Sequence, residues 1–196
     1  MKRKFTTIFL FVVLVVSAAL AQQKKTVPPP PKPANKGLTL QETMKFIQDK
    51  LNDVGPVNFT HYLHDNATGI DSTHVQLKFE RTNVVADSGA CRVSYHDKLG
   101  VDGSPSQETN HWFPLNAVVD VTVIPLEQSY GEGNAASGHP TYVKKVDPPV
   151  FVLRVRGPDK QHSDFFFFDE RMANRVAKAM AHAVELCGGA SNPEPF

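Results

Sequence analysis

Four consecutive phenylalanines, Phe165–Phe168, constrain the fold of this chain more than any other feature. Successive side chains of a β-strand point to opposite faces of the sheet, so a strand here is apolar on both faces. Burying one aromatic ring stabilises a fold by roughly 1.5–3 kcal/mol, and water on either face would forfeit that gain. The run therefore predicts a strand that is covered on both sides, with all four rings out of solvent.

The chain from residue 57 to residue 168 reads as β-structure throughout. Seven short runs either alternate apolar with polar residues or are continuously apolar, and clusters of Asn, Asp, Gly, Ser and Pro separate them. This spacing is typical of an all-β sandwich or barrel, whose interior one pair of the phenylalanines would fill. Residues 126–149 form an unusually long connection, which has room for one short strand at 142–146.

Two amphipathic helices are predicted at the ends of this β-region. Thr39 and Glu42 form a capping-box signature, and an apolar stripe runs through residues 40–54. Asp169 is a suitable N-cap for a second helix, whose apolar stripe ends at Cys187. We expect the first helix to cover the second pair of phenylalanines and the C-terminal helix to cap the mouth of the barrel.

The N-terminus has the layout of a secretory signal. Three basic residues at positions 2–4 precede the uncharged stretch 5–20, and the small residues Ala19 and Ala21 predict cleavage after Ala21. The protein is then periplasmic or secreted, with residues 1–21 removed. An uncleaved membrane anchor is the alternative, since the apolar stretch nearly reaches the roughly 17 residues that span a bilayer.

Three further segments follow the signal. Residues 22–37 are rich in proline and predict an extended, solvated linker. A single domain is expected over residues 38–189, and residues 190–196 are expected to form a flexible tail.

The charge balance argues against nucleic-acid and anionic lipid partners. Residues 22–196 carry 18 Lys and Arg against 20 Asp and Glu. Four of those lysines lie in the linker, so residues 37–196 carry 14 against 20, a net charge of −6. A negative domain repels phosphate backbones. We expect no nucleic-acid partner, and contact with a membrane only through an uncleaved signal segment.

Cys91 and Cys187 would meet an oxidising compartment if the chain is exported. A disulfide between them is one interpretation. Two buried free thiols that pack as small apolar side chains are the other.

Seven strands followed directly by one amphipathic helix resemble the pleckstrin-homology and GRAM superfold, in the α+β, mainly β class. The closing segment 165–189, "FFFFDERMANRVAKAMAHAVELCGG", together with segment 38–55, "LTLQETMKFIQDKLNDVG", resembles a group of exported, functionally uncharacterised bacterial proteins. The resemblance covers residues 38–189. The loop after the first strand, "DNATGIDST", lacks the Lys or Arg that grips an inositol phosphate, and the C-terminal helix lacks the usual tryptophan. Phosphoinositide binding is therefore not expected.

No motif indicates a cofactor, a metal or a catalytic centre. The segment "GEGNAASG" has dinucleotide-loop spacing, but Gly138 and Pro140 follow it where a helix should begin, so it predicts a flexible loop. His61 and His64 would lie on opposite faces of a strand. Strand alternation likewise separates Cys91 from His96.

Candidate binding residues are confined to the long connection. The polar and aromatic side chains there suit recognition of a partner, although a disordered insertion is an equal alternative. The candidates are Tyr130, His139, Tyr142, Lys144 and Lys145. The leading hypothesis is an exported, non-enzymatic interaction module whose partner is a protein or another macromolecule of the bacterial cell envelope. The alternative is a small-ligand carrier or a hydrolase with its site in the barrel mouth.

Overall fold

The computed structural model describes residues 37–65, 67–101, 104–137 and 141–189, with the backbone alone at 72–74, 132–137 and 141–142. The predicted signal, the linker up to Lys36 and the tail lie outside these residues. The helices of the described part are α1 (Leu40–Asp53), α2 (Leu126–Ser137) and α3 (Glu170–Leu186). Its strands are β1 (Val57–Asp65), β2 (Ile70–Asp87), β3 (Arg92–Val101), β4 (Gln107–Pro114), β5 (Asp120–Pro125), β6 (Thr141–Asp147), β7 (Phe151–Arg156) and β8 (His162–Phe167).

The strands form two separate antiparallel sheets. One sheet has the order β4-β3-β2-β1-β6, and the other has the order β5-β7-β8. The mainly β, α+β class is confirmed, but the predicted closed barrel is wrong. A short 3-10 helix, Leu115–Ala117, follows β4, and the chain then enters β5, which pairs with β7 in the second sheet. The predicted short strand in the long connection is present as β6, which pairs with β1.

The capping box of α1 forms as the sequence predicts. The Thr39 hydroxyl accepts a hydrogen bond from the Glu42 amide at 3.3 Å, and the Glu42 carboxylate accepts one from the Thr39 amide at 2.9 Å. The apolar face of the helix is buried through Met44, Ile47 and Leu51. It packs against α3 and β2.

Helix α3 covers one face of the three-stranded sheet. Asp169 caps it by accepting a hydrogen bond from the Arg171 amide at 2.9 Å. Its buried side chains, Val176 and Met180 among them, contact β5, β7 and α1. The predicted position over a barrel mouth is therefore wrong, because the two sheets leave no closed barrel to cap.

The phenylalanine run is covered on both faces, as predicted, up to its third residue. Phe165 and Phe167 are 1% and 2% exposed and join the core that α1 and α3 share. Phe166 points the other way, with its ring centroid 4.5 Å from that of Phe79. Phe168 is 47% exposed, so the prediction that all four rings are buried is wrong. Strand β8 ends at Phe167, and Phe168 lies where the backbone turns towards the cap of α3.

A disulfide joins Cys91 to Cys187, with an S–S distance of 2.08 Å, and this decides between the two interpretations of the cysteines. Cys91 lies in the turn before β3, and Cys187 is the C-cap of α3. The bond therefore fixes the end of the last helix to the five-stranded sheet.

The "GEGNAASG" segment lies in helix α2 up to Ser137, so the predicted flexible loop is wrong for this part of the chain. Contacts with the rest of the fold fix the start of the helix. The Leu126 side chain is 2% exposed, and its amide donates to the Val150 carbonyl at 2.9 Å. The Glu127 carboxylate accepts a hydrogen bond from the Val146 amide at 3.0 Å. These contacts offset the low helix propensity of the glycines.

None of the helices in the described ranges combines the length and the apolar character needed to cross a bilayer.

Candidate binding cleft

A buried ion pair lies where the two sheets meet. The Arg81 guanidinium on β2 donates to both carboxylate oxygens of Asp97 on β3, at 2.6 and 2.7 Å. It also donates to the backbone carbonyl of Asp164 on β8 at 2.9 Å. The Arg81 and Asp97 side chains are 7% and 16% exposed, so water screens the pair poorly. The pair fixes β8 against the middle of the larger sheet.

Aromatic rings enclose the same guanidinium. Its central carbon lies 4.1 Å from the centroid of Tyr95 and 4.0 Å from that of Phe165. A desolvated cation between two rings gains cation–π energy in addition to its ion pair. Burial raises the pKa of Tyr95, and the nearby Arg81 opposes that rise. The cluster also contacts β4, because Tyr95 stacks on His111 and the Phe165 ring meets that of Phe113 edge to face.

A second buried ion pair joins β8 to its neighbour β7. Arg154 on β7 donates to both oxygens of Asp164, at 2.9 and 2.8 Å, and also to the hydroxyl of Ser129 on α2. The two arginines thus hold the side chain and the carbonyl of one residue, Asp164. This arrangement orients β8 and the hairpin that precedes it.

A cleft of about 500 Å³ lies between the end of β4 and the β7–β8 hairpin. The β4 wall is made by His111, Trp112 and Phe113, and the hairpin wall includes Pro158, His162 and Ser163. Within the described residues, β4 pairs with β3 alone and β8 with β7 alone, so each wall is the edge strand of its sheet. The backbone groups along an edge strand are free to pair with an added chain.

Trp112 is the single tryptophan of the chain, and it is 64% exposed. Its neighbour Phe113 points inward and packs on the core, so strand alternation turns Trp112 outward. The Arg92 guanidinium lies 5.9 Å from the indole centroid on the outer face of the sheet. A large aromatic side chain held in solvent beside a cleft is typical of a binding surface.

Two histidines face the cleft from opposite walls. The His111 ring stacks on Tyr95 with a centroid distance of 5.2 Å, and its Nε2 lies 3.9 Å from an oxygen of Asp97. His162 Nε2 lies 3.7 Å from an oxygen of Asp164. Both separations exceed a hydrogen bond, so neither carboxylate orients its histidine as a general base requires. The histidines can donate to or accept from a ligand, and they add positive charge when protonated.

A buried histidine lies under α2, away from the cleft. The His61 ring on β1 is 6% exposed, and its Nε2 has no hydrogen-bond partner among the described residues. The edge of the Tyr130 ring contacts it, with centroids 4.5 Å apart. Burial lowers the pKa of His61 to about 4, and Glu127 opposes this shift. Three residues further on, the Nδ1 atom of His64 lies 2.7 Å from the Oδ1 atom of Asp71 at the surface.

The predicted binding residues whose side chains the structure describes lie in different surroundings. Tyr130 points from α2 into the core, and burial raises the pKa of its hydroxyl to about 12. Lys144 and Lys145 are exposed on β6, where Lys144 pairs with Asp71 at 2.9 Å and Lys145 with Asp147 at 3.4 Å. His139 and the side chain of Tyr142 lie outside the described residues.

A second depression, of about 450 Å³, lies along β1 and β2 beside Asp147 and Pro148. Lys78 and Asp147 are the charged residues that line it. Its lining lacks the exposed aromatic group and the pair of imidazoles that distinguish the cleft.

Sequence reasoning missed the cleft. Trp112 lies within residues 57–168, whose pattern predicts β-structure but not which strand is an edge, and its exposure depends on β4 being one. His111 and His162 are 51 positions apart and meet only because the two sheets pack together. Across the described ranges, no group of three or more His, Cys, Asp or Glu side chains could hold a metal ion.

No family model, curated protein or solved structure matches this chain. The cleft and the buried groups around it therefore carry the functional argument.

Proposed function

We propose that this protein is an exported, non-enzymatic interaction module that binds an extended segment of a cell-envelope protein in the cleft between β4 and β8. The exposed Trp112 carries this proposal, because the rest of the aromatic side chains around the cleft pack inward on a filled core. The edge of β4 offers backbone hydrogen bonds to an added strand. The two imidazoles in the cleft supply contacts for side chains on one side of the added strand. The Trp112 indole, beside Arg92 on the outer face of β4, supplies them for the other side.

The fold proposed for this module is pleckstrin-homology-like. Strands β1–β4 follow one another as an antiparallel meander, β5, β7 and β8 form a second sheet, and α3 follows β8 directly. In this interpretation α2 and β6 are an insertion between the first two strands of the second sheet. We do not extend the proposal to phosphoinositides, because residues 65–73 contain no Lys or Arg.

Export to the periplasm or beyond is part of the proposal. The signal-like residues 1–21 support it, and so does the Cys91–Cys187 disulfide, since disulfides persist in oxidising compartments. A proline-rich linker would then separate the module from its N-terminus.

A small-ligand carrier or hydrolase is the second candidate. The observation that favours it is the facing pair His111 and His162, each near a largely buried carboxylate. The ligand would be small, because the cleft holds about 500 Å³. The long histidine–carboxylate separations place this candidate second.

Capture from envelope extract tests the leading proposal. The chain of residues 22–196 is immobilised, and capture is compared with that of Trp112→Ala and Ile70→Ala. Ile70 is a matched control, since it is 62% exposed and begins β2, which β3 separates from β4. We expect Trp112→Ala to capture at least tenfold less of the partner than the native chain does, and Ile70→Ala to capture as much. The reason is that a central aromatic contact is typically worth 2 kcal/mol or more. Equal capture by all three chains contradicts the proposal.

A further inference from the structure

Two depressions flank the end of β4, and both are lined by His111 and Trp112. One is the cleft. The other, of about 320 Å³, lies over β3 and β4 on the outer face of the sheet, beside the Trp112 indole and the Arg92 guanidinium. A strand added to the edge of β4 would turn its successive side chains alternately towards the cleft and towards the outer depression. The linings of both depressions therefore determine which side chains such a strand carries.

The permanently charged residues that line the two depressions are basic. Lys160 is the charged residue of the cleft, and Arg92 is that of the outer depression. In the part of the chain that the structure describes, neither lining contains an Asp or a Glu. The imidazoles of His111 and His162 line the cleft, and that of His96 lines the outer depression. The surroundings of this edge are thus positive in a domain whose net charge is −6.

The protein itself does not neutralise these two cations. Neither Arg92 nor Lys160 forms an ion pair with a carboxylate of the described residues. Asp87 lies opposite Arg92 in the β2–β3 ladder, but its carboxylate accepts hydrogen bonds from two backbone amides of the turn that follows, at 2.9 and 3.0 Å. Asp159 precedes Lys160 in the β7–β8 hairpin and does not line the cleft. Both positive charges are therefore available to a partner.

Other lysines on the edge strands and beside them are paired. On β6, the opposite edge of the same sheet, Lys145 lies 3.4 Å from a carboxylate oxygen of Asp147. Near the start of β4, Lys98 lies 3.1 Å from a carboxylate oxygen of Glu108. Free cations beside an edge strand disfavour pairing with a second copy of that strand, because the same charges would be brought together. The end of β4 that carries Trp112 therefore favours a different, negatively charged strand.

We propose that the partner segment that pairs with β4 is acidic and carries Asp or Glu side chains on both of its faces. On one face these carboxylates meet Lys160 and the imidazoles of the cleft. On the other face they meet Arg92, whose guanidinium can bind a carboxylate through two parallel hydrogen bonds. Complementary charge adds specificity to the backbone hydrogen bonds of the edge, which do not distinguish one sequence from another. This inference rests on the proposed function, because it names the chemistry of the segment that the cleft takes.

Three synthetic octapeptides test the preference for acidic side chains. Each contains four valines and four glutamates, glutamines or lysines, arranged so that each face of an extended strand carries two of each kind. The peptides carry a fluorophore and are titrated with the chain of residues 22–196 at pH 7.5, with anisotropy as the readout. We expect the glutamate peptide to bind about tenfold more tightly than the glutamine peptide, since one partly exposed ion pair is worth up to about fivefold in affinity and two are formed. The lysine peptide should bind most weakly, and raising the salt from about 50 to about 500 mM should remove most of the preference.

Reversing the two charges one at a time locates the contact. Lys160→Glu and Arg92→Glu should each weaken binding of the glutamate peptide about fivefold or more and leave that of the glutamine peptide unchanged. Lys145→Glu is the matched control, because it makes the same change in net charge on an exposed side chain at the opposite edge of the sheet. Trp112→Ala should weaken binding of both peptides. All four side chains are exposed, and urea unfolding verifies that each variant remains folded.

Two further titrations distinguish a strand from a polyanion of another kind. Proline at the two central positions of the glutamate peptide removes amide donors that a strand needs, so this peptide should not bind. An oligogalacturonate of equal charge should not displace the glutamate peptide. Displacement by it at equal concentration would assign the surface to an acidic polysaccharide and overturn the peptide partner.

The remaining outcomes separate this inference from the proposed function. Equal affinity for the glutamate and glutamine peptides, or an equal loss from Lys145→Glu, overturns the acidic partner, and the strand-binding function stands if that binding depends on Trp112. Binding of none of the peptides also overturns the acidic partner, and the capture experiment then decides the proposed function by itself. A glutamate preference that needs Lys160 and Arg92 but not Trp112 supports the acidic partner and overturns the role of the indole.

Discussion

Acid should destabilise this protein through His61 more than through any other single histidine in the described part of the chain. The ring is 6% exposed, packs against Phe59 and Tyr130, and offers Nε2 no acceptor among the described residues. A charged imidazole in this position would lose its hydration without gaining a hydrogen bond. Burial accordingly lowers the pKa of His61 from 6.5 to about 4, although Glu127 nearby opposes the shift.

The lowered pKa fixes the sign and size of the effect. Between pH 6.5 and pH 4 the unfolded chain binds a proton at His61 that the folded chain does not, so the free energy of unfolding falls as the pH falls. The loss begins near pH 6.5, the pKa of the unfolded chain, and is complete just below pH 4. A shift of this size corresponds to a total of about 3 kcal/mol.

Urea unfolding of the native chain and of His61→Phe, at pH 7.5, 5.5 and 4.5, isolates this contribution. The phenyl ring keeps the edge contact with Tyr130 and removes the buried nitrogen that lacks a partner. At pH 7.5 we expect the free energy of unfolding of the variant to exceed that of the native chain by up to about 1 kcal/mol, since an unsatisfied buried group costs about that much. The advantage of the variant should grow by about 2 kcal/mol on going to pH 4.5. Parallel pH profiles for the two chains would refute this account of His61.

Three further predictions concern stability, each measured by urea unfolding. Reducing the disulfide, or replacing Cys91 and Cys187 together by alanine, should lower the free energy of unfolding by about 4–5 kcal/mol, because the bond closes a loop of 96 residues; a loss below about 1 kcal/mol contradicts this. Arg81→Met should cost about 3–5 kcal/mol, since it leaves Asp97 largely buried without its cation; a neutral result shows that the pair is dispensable. Gly189→Ala should lower the free energy of unfolding by about 1–3 kcal/mol, because the added Cβ clashes with Leu115. Gly131→Ala has open space around its Cβ and should stabilise α2 by up to about 1 kcal/mol. Equal effects of the two glycine substitutions would contradict both placements.

Local patterns in the sequence predicted the elements whose structure depends on near neighbours. The capping box at Thr39 and Glu42 and the N-cap Asp169 lie within a few residues of the amides they bind. The alternation of a strand is equally local: Phe165 and Phe167 are buried on one face, and Phe166 packs against Phe79 on the other. Phe168 differs because the strand ends one residue earlier than the run does.

Features that depend on distant partners could not be predicted in this way. Helix α2 forms although its glycines disfavour it, because Leu126 and Glu127 bind to residues about 20 positions away. Arg81 resembles any polar residue of a surface strand, and only the packing of β8 explains its burial. The cleft requires the edge of β4 to face the β7–β8 hairpin, and no periodicity in either segment encodes that pairing of edges.

Site-specific photo-crosslinking in the envelope of cells that express the chain tests the central claim most directly. A photoreactive phenylalanine analogue replaces Trp112 in one chain and Ile70, the equally exposed control, in another. The account predicts a discrete crosslinked partner from position 112 that is absent from position 70. Crosslinks of equal yield from both positions, or none from position 112, would show that the cleft between the two sheets is not where this protein makes contact.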